Sequence, residues 1–258
     1  LLEARNEAEE AVAVALALRR AIEDPQATAA LVTPDRNLAR RVSAELARWG
    51  LDIDDSAGRP LGHTPPGALL RLVGLKREGD WGEAQLVVDI TLEQLLGLRA
   101  SLIKELDDER LYHILTRNGR LDTQRLAIIA QLFWHQGDIL AAQGREGESL
   151  PMYERALRFF IEACFQDAGE GQDTTALREQ IVTLAASLDP TRMGADTLWP
   201  LAGYYEESGD FVHAEGILII MAGRPELREA ILPELIAYYE RLAEKPAAEL
   251  ARGGMQLA

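Results

Sequence analysis

Two tryptophans lie 65 residues apart, and polar or acidic side chains accompany each one in the same stretch of sequence. An indole ring can anchor a partner's apolar side chain, while nearby carboxylates attract basic groups. The residues of this candidate groove are Gln131, Trp134, Asp138, Asp196, Trp199, Glu206 and Glu207. Their types predict binding of a basic peptide or partner helix. Because tryptophan is usually largely buried, packing of both indoles between helices is the alternative.

The histidines and the cysteine do not predict a metal or catalytic site. His113, His135 and His213 lie in separate segments without HExxH spacing. Cys164 is the only cysteine, which excludes an intrachain disulfide and any zinc or iron–sulfur site built from cysteines. Its apolar neighbours predict a buried thiol. We therefore expect no metal and no cofactor.

Glutamates near the C-terminus allow one reading as an enzyme. Glu206, Glu207, Glu240 and Glu244 could supply the carboxylate pair of a hydrolase. Exposed glutamates are common on an acidic helical surface, and we expect these to be solvated. The sequence therefore assigns no catalytic residue, and we predict that the chain is not an enzyme.

The candidate groove belongs to an internal repeat. Gly79, Gly144 and Gly209 are spaced by 65 residues, and each lies between two apolar helical runs. Each glycine predicts a tight turn, and the residue five positions later is small. These small residues are Ala84, Ser149 and Ala214. The pattern predicts helical hairpins stacked as a short α-solenoid.

The hairpins fit the 34-residue tetratricopeptide repeat (TPR) when each glycine is placed at position 15. The central unit then has Gly137 at position 8 and Tyr153 at position 24. In such repeats, positions 2, 5, 9, 12 and 13 of the first helix line the concave face, and both tryptophans fall at position 5. Because 65 residues approximate two hairpins, each period is expected to contain one recognisable hairpin and one degenerate helix pair.

Charge and hydropathy restrict the classes of partner. The net charge is −15; residues 1–75 have nine arginines and eleven acidic residues, and residues 76–258 have a net charge of −13. An acidic surface repels phosphate backbones, so the helical part is not expected to bind nucleic acid. No apolar segment approaches the ~20 residues that span a bilayer, and no leader sequence is recognised. We expect a cytoplasmic protein without a membrane partner.

Residues 1–64 are predicted to form a small, partial α/β lobe, before a helical-hairpin domain at 65–245 and a C-terminal tail at 246–258. Helices are predicted over residues 6–22 and 35–49, with Asp35 as N-cap and Gly50 as stop signal. Strands are predicted at residues 1–4, 28–33 and 51–54. Three strands with two crossovers would give half of an open sheet.

Polar residues follow the last of these strands. Asp54, Asp55 and Ser56 could bind a metal ion or phosphate, but such residues commonly hydrogen-bond their own backbone in a turn. We predict a turn. His63 in the same loop is expected to be solvated.

The segment ALVTPDRNLARRVSAELARWGLDIDDSAGRPLGHTPPGALLRL resembles the N-terminal helicase-like part of AddB, a subunit of bacterial helicase–nucleases that repair double-strand breaks. It is similar, more loosely, to the accessory RecA-like lobe of superfamily 1 helicases. The resemblance covers about residues 1–72. The chain has no GxxxxGK[ST] loop, which an ATPase needs, and neither a nuclease carboxylate set nor a four-cysteine cluster. The resemblance therefore implies no catalytic residue here.

Residues 73–245 resemble an all-helical, TPR-like bacterial family of unknown function. The resemblance rests on GLKREGDWGEAQ, LEQLLGL, NGRLDTQRL, GDILAAQG, YERAL and YYEESGDFVHAE. It implies a fold and no activity, and the two resemblances together imply a fusion. We predict a non-enzymatic scaffold for protein–protein interaction. The alternatives are an accessory component of an AddAB-type repair complex and a hydrolase.

Overall fold

A computed structural model of the protein describes residues 4, 6–23, 29–51 and 64–255. Almost all regular structure in these residues is α-helical. The chain divides into two compact units, Leu1–Pro60 and Leu61–Ala258. The mainly α class predicted from the sequence is confirmed.

The first unit contains two helices that pack against each other, α1 (Glu7–Ile22) and α2 (Arg36–Arg48). Asp35 is the N-cap of α2, as predicted, since its side chain accepts hydrogen bonds from two backbone N–H groups of the first turn. Gly50 follows the helix with a φ of +72°, which confirms the stop signal. The buried side chains between the two helices are Ala11, Ala15, Val42 and Leu46.

The strand predicted at residues 28–33 is wrong, because residues 29–33 form neither strand nor helix. The Val32 side chain is 94% exposed, whereas a parallel strand would have buried it in a sheet. Apart from residues 4 and 51, the strands predicted at 1–4 and 51–54 lie outside the described residues, as do the Asp54–Ser56 turn and His63. The described residues of this unit therefore form a helix pair in place of the predicted α/β lobe.

Three helix pairs in the second unit are each joined at one of the repeated glycines. The pairs are α3 (Pro65–Glu78) with α4 (Trp81–Leu96), α7 (Thr123–Ala142) with α8 (Glu146–Gly169), and α10 (Ala195–Ser208) with α11 (Phe211–Ala222). The two helices of each pair pack together. These segments are therefore the helical hairpins that the glycine spacing predicts.

The three glycines end the first helix of each pair in the same way. Gly79, Gly144 and Gly209 have φ values of +75°, +73° and +79°, a region that glycine adopts without steric penalty. In each turn the glycine N–H bonds the carbonyl three residues earlier, and the next N–H bonds the carbonyl five residues before it. This is the Schellman pattern of helix ends. The 65-residue sequence repeat is therefore a repeat of one backbone turn.

Small residues allow the helices of a pair to approach closely. The residues five positions after the turn glycines are all buried: Ala84, Ser149 and Ala214. In the central pair, Gly137 faces the ring of Tyr153, and a Cβ atom built on the glycine would lie 2.5 Å from a ring carbon. The space at this crossing therefore requires glycine.

Shorter elements fill the intervals between the pairs. The first interval contains α5 (Ala100–Glu105), α6 (Asp108–Leu115) and a two-stranded antiparallel hairpin of β1 (Thr116–Arg117) and β2 (Arg120–Leu121). Asn118 and Gly119 form its turn with positive φ at both residues, as Asn-Gly favours. The second interval contains α9 (Thr175–Ala186) and a 3₁₀ turn, Pro190–Arg192. The degenerate helix pair is thus complete in the first interval only.

Two further helices, α12 (Arg228–Ala243) and α13 (Ala247–Arg252), follow the third pair. The segment predicted as a C-terminal tail contains α13 and packs on α11. Leu250 is buried, and the N–H of Val212 donates to the carbonyl of Gly253 at 3.3 Å. A Cβ atom on Gly253 would overlap the ring of Phe211. This close approach fixes the segment beside the end of α10.

Candidate peptide-binding face

The predicted groove positions of α7 lie between its buried side and solvent. Gln131, Trp134 and Asp138 are all half-buried. The Trp134 ring packs edge-on against Phe160 of α8, with 6.3 Å between the ring centroids, and also borders the core. Trp134 is therefore partly a core residue, and only part of its indole is available to a partner.

The predicted positions of α10 form a more open stripe. Asp196, Trp199 and Glu207 are exposed, and Glu206 is half-buried. These residues lie three, ten and eleven positions after Asp196, a spacing that places them on one side of a helix. The Trp199 side chain keeps 47% of its surface accessible. Complete burial of both indoles, the alternative reading of the sequence, does not occur.

Asp138 belongs to a polar cluster that the sequence did not reveal. Its carboxylate forms an ion pair with Lys76 of α3 and accepts a hydrogen bond from the Tyr153 hydroxyl at 2.9 Å. His135 Nδ1 lies 3.1 Å from Lys76 Nζ. An ammonium group can only donate, so Nδ1 accepts this bond when Lys76 is charged. The cluster therefore links the first helix of one pair to both helices of the next.

The charge of Asp138 is already compensated within the protein. Burial raises the pKa of its carboxyl group, but His135, Lys76 and Tyr153 lower the pKa by more, and the net pKa lies below its ordinary value. The carboxylate is therefore ionised at neutral pH and paired with Lys76. Contrary to the sequence-based prediction, it is not a free acidic group of the groove. Lys76 falls at position 12 of the first hairpin, which is the sequence signal that places it beside this face.

A cleft of about 850 Å³ lies at the C-terminal end of α10. One side is formed by positions 9, 12 and 13 of the predicted face, namely Gly203, Glu206 and Glu207. The opposite side comes from the last turn of α12 through α13, and Phe165 of α8 adds an aromatic ring. Asp196 and Trp199 lie on the same side of α10, one to two turns closer to its N-terminus.

An arginine of α12 neutralises one glutamate of the cleft. Arg241 donates two hydrogen bonds to Glu206, at 2.7 and 2.8 Å, and a third to Glu234 at 2.9 Å. The hydrogen bond to Glu206 is the main cause of the raised pKa of Arg241. Glu206 is thus less available to a ligand than the sequence indicated.

The remaining charges of the cleft are not balanced. Lys245 pairs with Glu249 at 2.7 Å and lies over the Phe211 ring, 5.1 Å from its centroid. Glu207 and Glu244 form no hydrogen bond or ion pair with the residues that the structure describes. The cleft therefore keeps two uncompensated carboxylates.

A second polar centre, also missed from the sequence, lies inside the helical unit. Arg155 of α8 is buried, bonds Asp108 at 2.7 Å and donates to the carbonyls of Lys104 and Leu106 near the end of α5. Arg158 bonds the other oxygen of Asp108 at 2.7 Å. Burial lowers the pKa of Arg155. This centre joins elements and has no open side, so its role is structural.

Other predicted features are placed as follows. Cys164 is buried, and burial raises the pKa of its thiol. In residues 4, 6–23, 29–51 and 64–255, no group of three or more His, Cys, Asp or Glu side chains is placed to hold a metal ion. None of the helices in those ranges is long and apolar enough to cross a membrane. The first unit has a separate, mainly apolar groove of about 610 Å³ beside α1, which contains none of the predicted site residues.

Comparisons of the chain with protein-family models, curated proteins and solved structures find no match. The geometry of the face and the cleft is therefore the basis for a functional assignment.

Proposed function

We propose that residues 61–258 form a TPR-like stack of helical hairpins that binds a basic, amphipathic peptide or partner helix along α7 and α10, without catalysis. One observation carries this proposal: the stripe of α10 that repeat numbering selects faces away from the core, with Trp199 exposed among carboxylates. The Lys76–Asp138 pair supports the stacked arrangement, because it connects the first helices of two successive hairpins.

The two kinds of side chain on this face have different roles. The exposed half of the Trp199 indole offers apolar area, and truncation of such an aromatic anchor typically costs about 2 kcal/mol or more of binding free energy. Asp196 and Glu207 create a negative potential that accelerates the approach of a basic ligand. The tryptophan therefore contributes mainly to affinity, and the carboxylates mainly to the rate of association.

The test uses a synthetic amphipathic peptide of about 16 residues, with leucines at helical i, i+3, i+4 and i+7 spacing and lysine or arginine elsewhere. Titration calorimetry measures its affinity for the full chain. Trp199→Ala should weaken binding about 30-fold, which corresponds to about 2 kcal/mol. Raising the salt concentration should slow association.

The matched control is Leu86→Ala, which removes an equally exposed apolar side chain from α4. This variant should bind the peptide as the wild type does. Equal affinities for Trp199→Ala and the wild type, or equal binding of a peptide whose basic residues are replaced by glutamate, would contradict the proposal.

A further inference from the structure

The geometry points to the cleft at the C-terminal end of α10 as the place where the ligand inserts an arginine side chain, held by Glu207 and Glu244. This inference rests on the proposed function and specifies one residue of the basic ligand. The cleft is continuous with the binding stripe, since Gly203, Glu206 and Glu207 belong to both. A peptide that runs along α10 past Trp199 therefore reaches it.

Charge complementarity selects a cation as the occupant. The cleft is lined by four glutamates, and its two basic residues, Arg241 and Lys245, are each paired with a glutamate. The two glutamates left over, Glu207 and Glu244, attract a positive group from outside the chain. An anionic or apolar occupant would leave both carboxylates without compensation.

The lining favours a guanidinium over an ammonium group. A guanidinium is planar, carries five donors and stacks on aromatic rings, so one group can satisfy two carboxylates and contact Phe165. Arg241 shows the first property in this cleft, because its fork bonds both Glu206 and Glu234. Lys245, in contrast, engages a single carboxylate.

Gly203 keeps the middle of this surface open. A Cβ atom built on Gly203 has no heavy atom within 4 Å, so a larger side chain there would project into free space without disturbing the packing. The helix itself tolerates the change, because glycine is a poor helix former. Gly203→Met is therefore a variant that fills the cleft and still folds.

The experiment titrates the full chain with acetyl-Arg-Gly-Arg amide and follows backbone amide shifts by NMR. Two further probes replace arginine by lysine or by citrulline, the neutral isostere. We expect the arginine probe to bind about tenfold more tightly than the citrulline probe, with shifts around Gly203 and Glu244. Glu207→Gln/Glu244→Gln and Gly203→Met should each weaken arginine binding about tenfold. Gly74→Met is the matched control, since Gly74 also lies inside a helix with nothing within 4 Å of its Cβ position.

Arg241→Gln separates ligand binding from a structural role. It releases Glu206 as a third free carboxylate, so it should tighten binding of the arginine probe. Equal affinities for the arginine and citrulline probes, or no loss on Glu207→Gln/Glu244→Gln, would overturn the inference. The short probe has no apolar anchor, so Trp199→Ala should leave its binding unchanged. If the long peptide binds through Trp199 and the short probe fails, the cleft inference falls and the proposed function stands.

Discussion

Lys76 of α3 and Asp138 of α7 form an ion pair that connects position 12 of one hairpin to position 9 of the next. These two residues are separated by 62 positions in the sequence, yet both belong to the side of the repeat selected by position numbering. The pair therefore joins the first two hairpins along the face that the groove prediction identified. It also reduces the negative charge of that face near Trp134.

The first prediction concerns the pH dependence of this pair. The folded-state pKa of Asp138 is lowered, so its stabilising contribution is complete above the unfolded-state pKa, near 4, and is lost as the pH falls through the folded-state value. Asp138→Asn should lower the free energy of unfolding at pH 7 by about 1 to 3 kcal/mol. Urea unfolding from pH 7 to pH 3 should show this difference shrinking.

Asp196→Asn is the control for this experiment, because Asp196 is exposed on α10. Its effect on unfolding should be within about 0.5 kcal/mol at every pH. A difference between the wild type and Asp138→Asn that stays constant down to pH 3 would show that the ionised carboxylate is not the source of the stabilisation.

Local signals made the hairpins predictable, while long-range contacts remained hidden. A glycine between two apolar helical runs is readable because the left-handed turn at Gly144 is set by one residue and its neighbours. The strand expected at residues 28–33 depended on partners elsewhere in the chain, and its apolar residues are exposed instead. The Arg155–Asp108 contact, across 47 positions, had no local signal at all.

The candidate site was predictable to the same extent. Repeat numbering selected the unburied side of α10 because helical periodicity relates Trp199 to Glu206 and Glu207. It did not show that Arg241 occupies Glu206, since α12 reaches the cleft only through tertiary packing. The net acidity of the sequence likewise did not reveal that Asp138 is paired and Glu244 unpaired.

The second prediction concerns the contact of Gly137 with Tyr153. Gly137→Ala should destabilise the protein by about 1 to 3 kcal/mol, because the added Cβ would lie 2.5 Å from the tyrosine ring. Gly203→Ala should instead raise the free energy of unfolding by up to about 1 kcal/mol, since that position is open. Thermal and urea unfolding of the two variants should therefore differ in sign. Equal stability of both variants would contradict the close approach of α7 and α8.

The third prediction concerns the buried ion pair. Asp108→Ala leaves Arg155 buried without its carboxylate partner, and removal of one member of such a pair typically costs about 3 to 5 kcal/mol. Glu109→Ala is the matched control, because Glu109 is the exposed neighbour of Asp108 on α6. Urea unfolding should show a large loss for the first variant and a change within about 0.5 kcal/mol for the second. Similar midpoints for the two would mean that Arg155 is satisfied by the backbone carbonyls alone.

The last prediction concerns the autonomy of the second unit. The buried core of the first unit consists of four described side chains, two of them alanine, whereas the second unit has a continuous core that extends through its helix pairs. Small domains bury a smaller fraction of their surface and are correspondingly marginal. Residues 61–258 expressed alone should therefore keep a cooperative thermal transition within a few degrees of the full chain, and residues 1–60 alone should show none. Circular dichroism and calorimetry of both fragments measure this directly. Loss of the cooperative transition from residues 61–258 would show that the helical unit depends on the first unit for its stability.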